Sequence, residues 1–197
     1  GPLCALYEPR PDGTFRSEGD SPAFMHMIDV GLRTLEHPTF GGWGGRFEKR
    51  PDRWRSAPDD EDMFKPILRW AIAFQNDWAA KADWCVKSVE EANHPPVVTL
   101  DHALNLVGKA GEQVSLDASK TTDSDGDALS FDWWHYPDSG TYSGSIDIQD
   151  ANTSDATLML PTDGKAGQTI HLICEVTDHG APPLTRYQRM IVTFSEE

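Results

Sequence analysis

Apolar and polar positions alternate with a period of two through the second half of the chain. The segments 113–118, 129–136, 145–149, 156–160, 169–177 and 187–194 each read as a short strand, with a weaker one near 97–106. Gly, Asp, Pro and Ser mark the turns between them. Seven short strands with regular turn signals predict an immunoglobulin-like β-sandwich over 95–197. Trp133 takes the core position of its third strand. Cys174 lies on the sixth strand, but Leu116 and Ala118 stand where a partner cysteine would be, so the usual inter-sheet disulfide is missing.

The first half has a different period. Asp20-Ser21-Pro22 is a helix start, followed by Phe24, Met27, Ile28, Gly31, Leu32 and Leu35 at helical spacing up to His37-Pro38. A second helix is expected from 58 to 92. Asp59, Asp60, Glu61 and Asp62 would form its first turn, at the positive end of the helix dipole. Its apolar stripe is Phe64, Ile67, Leu68, Ala71, Gln75, Trp78, Ala82, Cys85 and Val89. Between the helices, Phe40-Gly-Gly-Trp-Gly-Gly-Arg46 reads as a tight turn around Trp43, with Arg46 anchoring a carboxylate. It has no Lys-Ser or Lys-Thr, so it is not a phosphate cradle. Asn93-His-Pro-Pro96 breaks the helical pattern and sets a boundary between 1–94 and 95–197. The sum is α+β. Two helices do not close a core, so the first part reads either as the end of an α/β domain or as a layer packed on the sandwich.

Charge narrows the partners. The net charge is −15, with 12 basic and 16 acidic residues in 1–94 against 5 and 16 in 95–197. Clustered cations are needed to displace counterions from nucleic acid, and polybasic segments to hold an anionic membrane. Neither is expected here, which leaves neutral ligands and cations. Three cysteines without CxxC spacing read as incidental thiols or as one bridge with one spare, not as a zinc site. No secretory signal is visible at Gly1-Pro2-Leu3-Cys4, where Gly-Pro resembles the remnant of a cleaved tag, so the chain reads as cut from something longer.

Two candidate sites adjoin in Asp123-Ser-Asp-Gly-Asp-Ala-Leu-Ser-Phe-Asp-Trp-Trp-His-Tyr136. Asp123, Asp125 and Asp127 alternate in a turn that offers oxygens to calcium. The Gly position and the lack of a closing Glu exclude an EF-hand. Asp178, after the sixth strand, falls at the same end of such a sandwich and is the expected fourth ligand. The competing reading is a solvated turn. On the strand itself, Leu129, Phe131, Trp133 and His135 share one face, and Asp132, Trp134 and Tyr136 the other. Trp134 and Tyr136, with Tyr142 from the next loop, are the expected stacking rings for sugar. His171, Ile173 and Glu175 would lie beside them. The rival is that the helical part covers this face. Glu18 and Asp20 are read as helix-capping groups, or as metal or sugar contacts. No nucleophile set or paired-carboxylate centre can be picked out.

Several of these stretches together resemble a known family. Ser17-Glu-Gly-Asp-Ser-Pro22, the 40–46 turn, Gln75-Asn-Asp77, Ala82-Asp-Trp-Cys85, Asn93-His-Pro-Pro96, Trp133-Trp134, Gly140-Thr-Tyr142, Ile170-His171 and the segment 177–186 are similar to bacterial cellulose-binding proteins. In that family a nucleoside-hydrolase-like domain precedes an immunoglobulin-like C-terminal domain, and this chain resembles the C-terminal portion. The resemblance implies a non-catalytic, secreted, extracellular or periplasmic module that binds cellulose or a related plant polysaccharide, with a catalytic domain in cis. Two alternatives stay open: a fragment of a glycosidic-bond hydrolase that is inactive alone, with Asp20 as a metal or substrate ligand, and a structural accessory sandwich. The acidic turn and Asp178-His-Gly-Ala-Pro-Pro183 are also similar to polycystic-kidney-disease-type and cadherin-like sandwiches, calcium being common in the latter.

Overall fold

A computed structural model describes residues 24–196. Cys4, Glu18, Asp20 and the Ser17–Pro22 motif lie outside them. The described residues are mostly β. In chain order they form β1 (Phe47–Lys49), β2 (Trp54–Ser56), α1 (Lys65–Leu68), α2 (Ala71–Trp84), β3 (Asn105–Gly108), β4 (Gln113–Asp117), β5 (Leu129–His135), β6 (Asp147–Gln149), β7 (Asp155–Met159), β8 (Thr169–Asp178) and β9 (Thr185–Phe194).

The alternating half folds as a two-sheet sandwich. One sheet has the order β3-β9-β8-β5 and the other β4-β7-β6. β3 runs parallel to β9, and the other neighbours are antiparallel. Leu116, Trp133, Leu158, Ile170, Leu172, Cys174, Val176 and Val192 meet between the sheets, with Leu129 and Phe131 packed against them. Each fully buried Leu, Ile or Val among them contributes about 1.5–3 kcal/mol.

β8 is covered on both sides, since Ile173 and His171 on its outer face are buried too. A third layer, built from 24–92, causes this. Val30, Leu32, Trp43, Trp70 and Ala73 pack on Tyr136, Ile173 and Tyr187 to form a second apolar cluster. The first part therefore shares its core with the sandwich, as a layer on the four-stranded sheet.

The helices differ from expectation. The segment 24–39 contains turns and no long helix. Instead the Val30 and Gly31 carbonyls accept from Tyr187 N and Arg189 N at 2.9 and 3.0 Å, extending the edge of β9. Gly31 has φ +88°, and a Cβ there would lie 1.8 Å from the Tyr187 carbonyl oxygen, so the close approach needs glycine. The expected 58–92 helix is confined to α1 and α2. Asp59–Asp62 is a tight turn before them. The expected stripe also lies outward: Phe64, Leu68, Trp78 and Val89 are exposed, while Trp70, Ala73, Asp77 and Ala80 face inward. Arg186, which reaches Asp77 at 2.7 Å, explains why a carboxylate sits on the buried side.

Candidate functional site

The 40–46 turn brings the third layer to the sheet. Gly42 and Gly45 bond each other across it, Trp43 is buried, and Arg46 Nε reaches Asp59 Oδ1 at 2.7 Å. Asp59 is buried and also accepts from Tyr136 OH at 2.6 Å, with Arg69 at 3.5 Å. Beside it the buried Arg189 guanidinium donates to the carbonyls of Leu32, Phe40 and Gly41 at 2.7–2.9 Å and sits 3.0 Å from His171 Nδ1. Burial and the neighbouring cation push the His171 imidazole down to about 3, so it stays neutral and accepts.

These contacts revise the expected sugar platform. Tyr136 has 0% of its surface exposed and Tyr142 6%. Tyr136 lies under the third layer, with its phenol pushed up by burial and committed to Asp59. Tyr142 lies on the other side of the sheet, between the sheets against Phe194, and its hydroxyl donates to Asp163 at 2.9 Å. The outer face is covered because a half-apolar sheet face next to Trp43, Trp70 and Val30 gains more by packing than by facing water. His171 and Ile173 are covered with it.

Trp134 alone of the three rings stays half-buried. It lines a cleft of about 330 Å³ at the seam between the sheet and α1, together with Trp70, Arg69, Lys65, Asp60, Asp138 and Glu175. Its indole N–H donates to Glu175 Oε2 at 3.1 Å, and Arg69 stands 5.5 Å over its ring. Trp70 tilts against it at 5.7 Å. Burial raises the Glu175 carboxyl above its ordinary value, and the Asp132 charge adds to this against the Trp134 hydrogen bond. Burial lowers the neighbouring His135 imidazole to about 4. An aromatic wall with carboxylate acceptors and ammonium and guanidinium donors is suited to a polyhydroxylated ligand. Trp70, Arg69 and Asp60 carry no periodic signal in the sequence. Only the seam assembles them.

The acidic turn lies at the end of the sandwich. Asp123, Asp125 and Asp127 each offer one carboxylate oxygen within 4.8 Å of the others. Asp123 Oδ1 accepts from the backbone N–H groups of Asp125 and Asp127, which shapes the turn. Burial raises the Asp127 carboxyl, and the charges of Asp123, Asp178 and Asp125 raise it further. Asp178 is fully buried. Its Oδ1 accepts from Gly180 N, Leu184 N and Asn93 Nδ2, while its Oδ2 has no partner. Among the described residues Cys85 is free and exposed, and Cys174 free and buried. No helix among them is long and apolar enough to cross a membrane.

Comparison with known proteins bears on all of this. Residues 113–194 match the C-terminal domain of the cellulose-binding protein Sde0182, and residues 1–47 match the nucleoside hydrolase-like domain of cellulose-binding Sde182. A nucleoside hydrolase-related hypothetical protein from Saccharophagus degradans, described as associated with carbohydrate metabolism, is 32% identical with a TM-score of 0.80. The match covers 94% of this chain and 49% of that one, so the chain spans about half the length of that relative. A PKD domain from the KIAA 1837 protein matches at 19% identity and TM-score 0.34, over 56% of this chain and 92% of its own. Cadherin domains 3–6 of protocadherin gamma B2 match at 17% and 0.33, over 52% and 26%. A search of curated proteins finds no match.

Proposed function

From a chain that resembles the C-terminal portion of cellulose-binding proteins, with matches to both their nucleoside hydrolase-like and C-terminal domains, we infer a module that binds β-glucan without cleaving it. The observation that carries the reading is the seam cleft, where a half-buried Trp134 stands among Asp60, Lys65, Asp138 and Glu175. Pyranose rings present apolar C–H faces to an indole and hydroxyls to its polar rim. A cleft of this volume takes roughly one or two sugar rings. The ligand is therefore a single chain or a chain end, not the flat face of a cellulose crystal. On this reading the protein acts outside the cytoplasm, beside a nucleoside hydrolase-like domain in cis.

Affinity electrophoresis through soluble β-glucan, with calorimetry on cello-oligosaccharides, tests the cleft. Trp134→Ala should weaken retention about tenfold or more, while Trp78→Ala on the exposed face of α2 should leave it unchanged. Equal retention of the parent and Trp134→Ala would sink the cleft as the binding site.

A second reading rests on the full burial of Tyr136. Here the sandwich braces its neighbour and binds nothing. It predicts no retention on any glucan and a parent protein that loses stability when 95–197 are removed.

A further inference from the structure

The outer side of α1 and α2 is apolar. Phe64, Leu68 and Ile72 repeat every four residues, and Trp78 and Val86 continue the same stripe. All of these side chains are exposed, Ile72 by 80%, Trp78 by 73% and Val86 by 82%. No charged residue interrupts the stripe between 64 and 86, in a chain of which 25% is charged. The inner side is apolar as well: Trp70, Ala73 and Ala80 are buried there, and Asp77 is held by Arg186 and Lys81. A surface helix ordinarily turns charges to water, and a helix apolar all round belongs inside a core. Contiguous apolar surface beyond a few hundred Å² marks a place where another body packs.

Two observations point to that body. Residues 1–47 match a nucleoside hydrolase-like domain, and Val30, Leu32 and Trp43 from that stretch share one apolar cluster with Trp70 and Ala73. α2 is therefore built into the same layer as residues of that domain. The layer packs its inner side on the four-stranded sheet, and the stripe is its outer side. The Saccharophagus relative matches 94% of this chain with 49% of its own length, so about half of that relative has no counterpart here.

We propose that the outer face of α1 and α2, from Phe64 to Val86, is the docking surface for the remainder of a nucleoside hydrolase-like domain joined to this chain in cis. The helices then lie between that domain and the sandwich, with apolar contact on both sides. A tethered domain docks at an effective concentration in the millimolar range, so an interface of about 600–1,500 Å² suffices. α1 bears Leu68 on the docking face and Lys65 on the seam cleft, so docking also steadies one wall of the cleft.

Cys85 supplies the probe, since its exposed thiol lies at the Val86 end of the stripe. A maleimide should alkylate it freely in this chain. In a parent that carries the nucleoside hydrolase-like domain, alkylation should slow about tenfold or more. Ile72→Asp should leave the melting temperature of this chain within about 1 °C, because that side chain already meets water. In the parent the same change should return Cys85 to the labelling rate of the shorter chain. Met159→Lys, on the exposed side of the other sheet, should leave the protection in place. Equal labelling of Cys85 in this chain and in the parent would overturn the proposal, as would undiminished protection in the Ile72→Asp parent. So would protection already present in this chain, which would name a second copy as the cover if it grows with protein concentration and the chain's own residues if it does not. The proposal rests on the domain in cis and not on the cleft, and glucan retention is read separately, so either can fail alone.

Discussion

Tyr136→Phe separates a ring that packs from a ring that binds. The substitution keeps the aromatic body among Trp70, Trp134 and Arg189 and removes one hydroxyl. That hydroxyl donates at 2.6 Å to a buried carboxylate that is ion-paired with Arg46. A hydrogen bond to a charged group contributes about 1.5–3 kcal/mol. Asp59 keeps Arg46 at 2.7 Å and Arg69 at 3.5 Å, so no charge is stranded and the cost stays in that range. For a chain of this length it corresponds to a fall in melting temperature of roughly 3–12 °C. Asp59→Ala should cost more, about 3–5 kcal/mol, because two largely buried guanidiniums and the Tyr136 hydroxyl lose their shared partner. Calorimetric melting of both variants, run beside glucan retention, is the assay. Tyr136→Phe should melt early and still bind. A melting temperature within about a degree of the parent would refute the buried-bond argument. Lost retention at unchanged stability would return Tyr136 to a binding face.

Three further outcomes follow from the same geometry. Gly31→Ala should destabilise by more than 1 kcal/mol, roughly, since its Cβ meets the Tyr187 carbonyl at a positive φ; hydrogen exchange at the Tyr187 and Arg189 amides should rise, and unchanged protection there would contradict the edge contact. Glu175 binds its proton more tightly folded than unfolded, so its contribution to stability falls as pH rises from about 4.5 through its raised folded value; Glu175→Gln, which still accepts from Trp134, should remove that loss, and urea midpoints with the same pH slope in both proteins would refute it. Burial pushes the Cys174 thiol up to about 12, so thiol reagents should label Cys85 in the native protein and reach Cys174 only on unfolding, as peptide mapping would show.

The strands were readable because alternation is local. Each residue on β5 or β8 reports its own side of the sheet, and Trp133 and Cys174 lie between the sheets as their parity requires. The Arg46 anchor and the turn around Trp43 were equally legible, since closely spaced glycines mark a tight turn that other residues follow only under strain. The acidic turn also announced itself, because three aspartates five residues apart in all share one loop whatever the fold.

Parity does not say what lies beyond each face. Trp134 and Tyr136 belong to the outer face as their spacing indicates, but whether water or protein meets that face depends on residues more than sixty positions away, chiefly Trp70 and Asp59. Helical spacing failed for a related reason. The inward side of α2 bears Ala73, Asp77 and Ala80, which look polar or featureless until Arg186 and the sheet come into contact with them. Alternation and turn chemistry are set by neighbours in the chain, and so they belong to the sequence alone. Burial and charge pairing are settled between segments far apart in it, and so the seam cleft with its one half-open tryptophan exists only in the folded protein.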